Sequence, residues 1–487
     1  MRRNRKLKQS LYRAWSLFVI QTLVILTTLK WVLLAIIAGV TTGVPTGVFL
    51  RLLDGGTGLV YSWSSFFVLT PLALLLSSFI MHRFAGDTRI QGTEMVIEAL
   101  HNRDGYISPR NLLAKTVATL ITLTLGGSAG KEAPSGTIGA GVTSAFASLF
   151  GLNQLDRRRF VICGISAGFA GVFGTPIAGA LFASEVLSIG RMSYNRFLPA
   201  LMASYIAYFV TRAMGVGHLS YSVDFVVSSE LAMLWKMVVF GLLIGSLAIV
   251  FISMLGGVAR LFGSIGIHAS LKALIGGTVL IGVVILTGTT NYVGLGTRTI
   301  DAALGGSTFR GMAPFFKMLT TSVTLASGGS GGMITPIFFI GATAGNYWAQ
   351  IIGANVALFS AIGMVAFLAA CTNTPLAAVM MGMELFGIRT GGYGAVACAV
   401  AFLVVGHMSV FPSQVIHHKK MLFVDLEMHG VPKVFTAGTT RRLFKAFFSG
   451  YRTDLDDMTQ ISSRTVGEQN TQSRKQRPGG SPHNHAE

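Results

Sequence analysis

A glycine-rich stretch with two charged residues lies inside a strongly apolar region and limits the folds open to this chain. Residues 126–140 read GGSAGKEAPSGTIGA, with Lys131 and Glu132 side by side and Pro134 two positions later. A charged side chain at bilayer depth costs roughly 2.5–3.5 kcal/mol on insertion scales. The glycines permit a non-helical backbone, and Pro134 suits the first turn of a new helix. The pattern predicts a broken helix whose N-terminal end can hold an anion, with Glu132 placed to occupy or guard that position.

The same pattern returns in the second half of the chain. Residues 329–342 read GSGGMITPIFFIGA, and their glycine and proline positions stand 202 residues after those of the first motif. A second pair of stretches, 175–185 and 374–384, begins with Thr-Pro and ends with Glu in both copies, 199 residues apart. Two pairs in the same order with nearly equal spacing indicate an internal duplication.

Threonine and glutamate residues of these motifs are predicted to have structural roles. Thr175, Thr335 and Thr374 each stand directly before a proline, so we predict that they cap helices. Thr335 can in addition face an ion. Glu185 and Glu384 occupy symmetric places after the Thr-Pro starts, as duplicated scaffold residues would, so we predict that they are structural anchors.

Composition identifies the class of protein. The 487 residues are 51% hydrophobic and only 12% charged, whereas a soluble chain is about one-quarter charged. We therefore predict an all-α polytopic membrane protein. The net charge of +19 is best explained by basic tails and loops that set membrane topology, and no nucleic-acid-binding pattern is present. Cys163, Cys371 and Cys398 lack metal-type spacing, so neither a metal nor a cofactor is predicted.

The order of segments suggests two membrane halves between polar ends. Many apolar segments are shorter than the ~20 residues that a full crossing needs, and Gly-rich or Thr-Pro breaks interrupt them. Such breaks at matching positions of two halves are typical of transporters and channels with a site near the bilayer midplane. The predicted parts are a basic N-terminal segment (1–15), a first membrane repeat (16–217), a linker (218–232), a second membrane repeat (233–416) and a tail (417–487) that is largely disordered after about 453. Basic residues in both tails predict that both termini are cytoplasmic.

Five ordered motifs between about residues 30 and 416 resemble the CLC family of chloride channels and proton-coupled anion transporters. They are residues 127–134, 175–185, 331–336, 374–384 and 409–414. The resemblance implies a CLC-type antiparallel inverted repeat of short, tilted and broken helices, and a homodimer with a separate pore in each subunit. It also implies that chloride or another small anion crosses the lipid bilayer, with H+ coupling possible. We expect a prokaryotic inner membrane.

The resemblance also implies an anion site. Glu132 resembles the family's external gate, a carboxylate that competes with the anion for one position. An ion pair with Lys131 is the alternative, but adjacent residues at a helix start point in different directions. Backbone N–H groups of the two glycine motifs resemble the anion cradle. The residues that the motifs assign to anion binding are Gln91, Gly130, Lys131, Ala133, Met333, Ile334, Thr335 and Phe411.

The chain departs from the family pattern at several pore positions. Gln91 takes the place of the usual pore serine, and Glu94 that of a proline. Phe411 replaces the usual pore tyrosine. Val186, which cannot titrate, stands where proton-coupled members often carry an internal glutamate. Gln91 either donates its amide to the anion or is a loop residue, and Phe411 either offers a weakly positive ring edge or plugs the inner mouth.

A chloride channel or H+-coupled exchanger is the leading prediction. Val186 favours a channel or weak coupling, whereas Glu132 keeps exchange possible. The alternative is a fluoride/proton antiporter, because such members also depart at the pore serine and carry Thr-Pro in the second motif. They tend to have aromatic residues around that motif, where this chain has Met333 and Ile337. An enzyme is disfavoured because the apolar segments hold no catalytic cluster. N–H-rich helix starts likewise disfavour a cation carrier.

Overall fold

The computed structural model describes the backbone of residues 2–85, 92–189, 194–218, 221, 223, 225 and 229–416, and the side chains of residues 15–85, 92–187, 194–218, 221, 223, 225 and 229–415. Sixteen α-helices make up most of this part of the chain. The first eight are α1 (Arg2–Val60), α2 (Thr70–Ile80), α3 (Thr93–Asn102), α4 (Pro109–Thr124), α5 (Glu132–Leu149), α6 (Gln154–Phe173), α7 (Pro176–Glu185) and α8 (Tyr194–Ala213). The second eight are α9 (Glu230–Ser264), α10 (Ala269–Thr287), α11 (Thr297–Leu304), α12 (Ala313–Ala326), α13 (Ile334–Ile351), α14 (Val356–Thr372), α15 (Pro375–Phe386) and α16 (Ile388–Val404). A 3-10 turn (Phe66–Leu69) precedes α2, and a π turn (Met81–Ala85) follows it.

Strands are minimal in the described residues. β1 (Ser188–Ile189) follows α7, β2 (Val415–Ile416) follows α16, and the two pair in parallel. This short pairing ties the last described segment of the chain to the segment that follows α7 in the first half. The all-α class predicted from the sequence is confirmed.

Long helices lie outside and short ones inside. Four described helical segments are long and apolar enough to cross a membrane: Trp15–Val60, Phe66–Ala85, Glu230–Ser264 and Ala269–Thr287. Their exposed surface carries large apolar side chains such as Leu33 and Leu242, as a lipid-facing surface requires. By contrast, every residue of α14 from Leu358 to Thr372 is buried. The short helix α14 therefore forms the centre of the core.

The two halves repeat the same helix packing. α4 to α7 correspond in order and spacing to α12 to α15, and α5 packs on α6 as α13 packs on α14. Both contacts depend on glycine. A Cβ added to Gly139 would lie 2.0 Å from the carbonyl oxygen of Gly164, and one added to Gly341 would lie 2.3 Å from that of Gly363. Backbone therefore touches backbone at equivalent places in each half.

Two glutamates connect the halves reciprocally. Glu185, the last residue of α7, accepts hydrogen bonds of 3.2 and 2.8 Å from two backbone N–H groups in the first turn of α15. Glu384 on α15 accepts hydrogen bonds of 2.9 and 2.8 Å from two backbone N–H groups in the first turn of α7. Each short helix thus begins on a carboxylate from the other half, where the helix dipole and free N–H groups favour negative charge. This is the anchoring that the symmetric positions of the two glutamates predict.

The predicted threonine caps are correct in position at two of three places, but they make no capping hydrogen bond. Thr175 and Thr374 do stand at the N-cap positions of α7 and α15, but neither side chain makes a capping hydrogen bond. The N–H groups that they would accept are already bonded to Glu384 and Glu185. Thr335 is the second residue of α13 rather than its cap, and its hydroxyl faces Glu132.

Candidate anion site

The two glycine motifs meet in the interior. The backbone N–H of Gly130 donates to the carbonyl oxygen of Gly332 at 2.7 Å, and the reverse bond is 2.8 Å long. α5 begins two residues after the first glycine and α13 two residues after the second. Two helix N-termini therefore start from one point, as the duplicated broken-helix pattern requires.

Polar side chains hold these two non-helical stretches in equivalent ways. The backbone N–H of Ser128 donates to the Thr324 hydroxyl, and that of Ser330 donates to the Thr122 hydroxyl, both at 3.1 Å. All four residues are buried. Buried N–H groups outside helices need such partners, because an unsatisfied one costs free energy in a medium without water.

The carboxylate of Glu132 lies at the start of α13. Oε1 accepts the backbone N–H of Ile334 at 2.5 Å, and Oε2 accepts the hydroxyl of Thr335 at 2.8 Å. The side chain is fully buried. A carboxylate bound by N–H and O–H donors at a helix N-terminus occupies the kind of position that an inorganic anion takes.

Glycine is required on both sides of this carboxylate. A Cβ added to Gly130 would lie 2.2 Å from Oε1 of Glu132, and one added to Gly332 would lie 2.3 Å from the same atom. Such distances leave no room for a side chain. Glu132 can therefore fold back onto α13 only because both motifs carry glycine at these positions.

Lys131 does not neutralise its neighbour. It stands at the N-cap of α5 with a partly exposed side chain, and among the described residues no basic group lies within 4.0 Å of Glu132. The carboxylate bonds instead to the second repeat. The alternative explanation of Glu132 as half of a local ion pair therefore has no support in the geometry.

Comparison with known proteins identifies the family. Residues 73–406 match the family model described as voltage gated chloride channel, a stretch that includes both glycine motifs and the helices after them. The chain belongs to the CLC family.

Relatives of this CLC protein include channels and antiporters. It is 32% identical over 400 residues to a chloride/fluoride channel protein of Pseudomonas syringae pv. tomato, covering 80% of this chain and 87% of the relative. It is 27% identical over 324 residues to the voltage-gated ClC-type chloride channel ClcB of Escherichia coli, covering 63% and 75% of the two chains.

Solved CLC structures share the fold. A CLC-type fluoride/proton antiporter superimposes with a TM-score of 0.76 at 27% identity, covering 80% of this chain and 98% of the other. A slow cyanobacterial Cl⁻/H⁺ antiporter gives a TM-score of 0.66 at 22% identity, covering 77% and 94%. The predicted CLC-type antiparallel inverted repeat is thereby confirmed.

Other predicted anion-site residues of this CLC protein lie next to Glu132 or at the start of α13. Ala133 and Ile334 are buried, and Met333, at the N-cap of α13, is partly buried. The start of α3 also reaches the site, because a Cβ on Gly92 would lie 3.1 Å from that of Ala133. Gln91, which precedes it, lies outside the described residues.

Phe411 and Val186 belong to a second cluster of the CLC core. Phe411 is buried and its backbone N–H donates to the hydroxyl of Ser409 at 3.0 Å. The side-chain amide of Gln414 donates to the carbonyl oxygens of Val186 and Thr372, at 2.9 and 2.8 Å. No hydrogen bond between described residues links this cluster directly to the Glu132 carboxylate. The structure thus brings together the predicted residues of the two glycine motifs, whereas Phe411 and Val186 share the same buried core without a hydrogen bond to Glu132 among the described residues.

One acidic residue of this second cluster had no predicted role. Glu94, on α3, accepts the hydroxyl of Ser413 at 3.0 Å. Sequence reasoning noted it only as a departure from a family proline. The signal that could have drawn attention to it is a carboxylate close to the pore motif in a chain that holds few charges.

Proposed function

We propose that this protein carries a small anion, most simply chloride, across a membrane and that Glu132 is its gate. The observation that carries the proposal is the position of the Glu132 carboxylate on the N–H of Ile334 and the hydroxyl of Thr335. A halide needs the same donors, because an anion in a buried site must recover its lost hydration through hydrogen bonds. The carboxylate and the halide therefore compete for one position.

Competition of this kind makes anion movement sensitive to protons. Each hydrogen bond to a charged group contributes roughly 1.5–3 kcal/mol, so the charged carboxylate holds the two donors firmly. A protonated carboxyl group carries no charge, accepts these bonds less strongly, and releases the position to an anion. One proton bound by Glu132 thus opens the way for one anion, which suits an H⁺-coupled exchanger and also a proton-gated channel.

The remaining architecture is proposed with this function. We propose two membrane repeats, 16–217 and 233–416, in a prokaryotic inner membrane with both termini cytoplasmic. The functional unit is a homodimer with one pathway per subunit. Exposed apolar side chains on the long helices and the basic residues of both tails support this arrangement, because the former suit lipid or a second subunit and the latter favour the cytoplasmic side.

Fluoride is the second candidate substrate. Similarity to a chloride/fluoride channel protein and to a fluoride/proton antiporter favours it. The pore also lacks the serine and tyrosine hydroxyls of the usual chloride pattern, at Gln91 and Phe411. The Thr335 hydroxyl at the gate remains available as a strong donor to a small anion.

One liposome experiment tests the proposal. The purified protein is reconstituted in vesicles loaded with chloride or with fluoride, and efflux is recorded with ion-selective electrodes while the external pH is followed. We expect electrogenic efflux of one halide accompanied by proton movement, and none from protein-free vesicles. Absence of efflux of both halides, in vesicles shown to contain folded protein, would reject anion transport.

A further inference from the structure

Two buried lysines occupy equivalent positions in the two halves. Lys115 lies on α4 and Lys317 on α12, 202 residues apart, which is the spacing of the glycine motifs. Their residues are 1% and 0% exposed. An ammonium group removed from water in a membrane protein carries a large desolvation cost, so it needs hydrogen-bond acceptors or a countercharge.

Lys317 has its acceptor. Its Nζ donates to the carbonyl oxygen of Gly294 at 2.8 Å and lies 5.3 Å from the centroid of the Phe339 ring. A carbonyl bond and a cation–π contact together stabilise a buried ammonium group. Lys317 is thus a structural residue that fixes the chain before α11.

Lys115 lacks the equivalent acceptor. Within the part of the chain that the structure describes, its Nζ has no hydrogen-bond partner and no carboxylate within 4.0 Å. The carbonyl oxygen 202 positions before that of Gly294 belongs to Gly92, and it accepts a hydrogen bond from the backbone N–H of Met95 at 3.2 Å. Among the described residues, Lys115 therefore has no bond that matches the one from Lys317 to Gly294.

Glu94 on α3 is an acidic group whose charge acts on Lys115 without a contact within 4.0 Å. The residue 202 positions after it is Gly296, where an added Cβ would lie 3.4 Å from Nζ of Lys317. In the first half this sequence position carries an acid, and its carboxylate accepts a hydrogen bond from the hydroxyl of Ser413 at 3.0 Å. Ser413 is two residues from Phe411, on the segment that the family resemblance assigns to the pore.

We propose that Lys115 is an anion-binding residue at a second position of the pathway and that Glu94 competes with the anion for it. This inference rests on the proposed anion transport. A halide would supply the hydrogen-bond acceptor that Lys115 lacks among the described residues and would place negative charge in contact with it. The hydroxyl of Ser413 donates to Glu94 in this structure, and it could instead donate a hydrogen bond to the anion. At both positions a carboxylate would compete with the transported ion, Glu132 for the donors of α13 and Glu94 for the Ser413 hydroxyl and the charge of Lys115.

Opposite effects of two substitutions test this inference. Halide binding to the purified full-length protein is measured by calorimetric titration with chloride and with fluoride. Lys115→Met removes the cation and should weaken binding at this position by about ten-fold or more. Glu94→Gln removes the competitor and should strengthen it by a few fold. Lys115→Arg keeps the charge and should retain most of the affinity.

Glu98→Gln is the matched control, because it makes the same charge change one turn further along α3, where Glu98 pairs with Arg103 at 3.6 Å. It should change affinity little. Weaker binding in both Lys115→Met and Glu94→Gln, or no change in either, would overturn the proposal, because a structural ion pair gives losses of the same sign. If Lys115→Met does not fold, the halide affinity of Glu94→Gln decides. An affinity equal to or weaker than that of the parent protein would overturn the proposal. If these variants contradict the inference about Lys115 while the parent protein still shows halide efflux, the proposed anion transport stands. Absence of halide efflux from the parent would instead reject the proposed function.

Discussion

Gly130 and Gly332 exchange two backbone hydrogen bonds, of 2.7 and 2.8 Å, although 202 residues separate them. This pairing brings the start of α5 to the start of α13. A side chain that leaves the first turn of one helix therefore reaches the free N–H groups of the other. Glu132 makes this connection, because its carboxylate belongs to the first repeat and accepts hydrogen bonds from Ile334 and Thr335 of the second. The proposed anion position therefore lies at the contact between the two repeats.

The first prediction concerns the gate. Glu132→Gln should leave anion flux in place while proton movement falls to background and the pH dependence of flux disappears, because a neutral amide mimics the protonated carboxyl at all pH values. The measurement is halide efflux from liposomes between acidic and neutral pH. Glu98→Gln should behave as the parent. Unchanged pH dependence and coupling in Glu132→Gln would make Glu132 a structural residue.

The second prediction concerns the Thr335 hydroxyl. Thr335→Val keeps the shape of the side chain but removes one donor to the anion position, so halide affinity should fall by about ten-fold. Thr343→Val is the matched control, since Thr343 is buried on the same helix and its hydroxyl donates at 2.7 Å to the carbonyl oxygen of Phe339. Calorimetric titration compares the two. Equal affinities for both variants would remove Thr335 from the site.

The third prediction concerns the space around the gate. Gly332→Ala places a Cβ against Oε1 of Glu132 and should displace the carboxylate from α13, raising halide flux at neutral pH while lowering stability by about 1–3 kcal/mol. Gly256→Ala is the control, because an added Cβ there meets nothing within 4 Å. It should be neutral or slightly stabilising. A Gly332→Ala protein with the parent's pH profile would show that the carboxylate can stay without this glycine.

The fourth prediction concerns the reciprocal anchors. Glu185→Gln and Glu384→Gln each leave one acceptor oxygen where two backbone N–H groups need partners, so each should lower the free energy of unfolding by about 1–3 kcal/mol. Thermal unfolding in detergent provides the measurement. The ratio of protons to anions in the folded fraction should stay that of the parent. A changed ratio in either variant would mean that the glutamate takes part in proton movement.

Part of this architecture could be predicted from the sequence. Glycine, proline and adjacent charges predict where helices must break. The duplicated spacing shows that the two breaks occupy equivalent positions in an internal repeat. The motif resemblance correctly grouped Glu132 with Ile334 and Thr335. These features are local in sequence or repeated in it, which is why pattern reasoning finds them.

Other features could not be read in this way. The free N–H groups of α7 and α15 bond to glutamates about 200 residues away, so the threonines at the N-cap positions make no capping bond. Gln414 connects Val186 and Phe411, because its side-chain amide donates to the carbonyl oxygen of Val186 and its backbone N–H to that of Phe411. These contacts have no periodic signature in the sequence. Lys115 and Lys317 stand 202 residues apart, as the glycine motifs do, so the sequence could have shown that they are a pair. Only the structure shows that Lys317 has a hydrogen-bond acceptor and that Lys115 has none among the described residues.

The exchanged carboxylates of Glu185 and Glu384 also bear on how such a chain arose. A protein with a single copy of this repeat would present one open helix start and one buried acid without donors. Neither defect can be repaired within the copy itself. A second copy inserted upside down in the same membrane would repair both at once. Fusion of two such copies into one chain would keep the two helix starts and the two carboxylates at equal concentration.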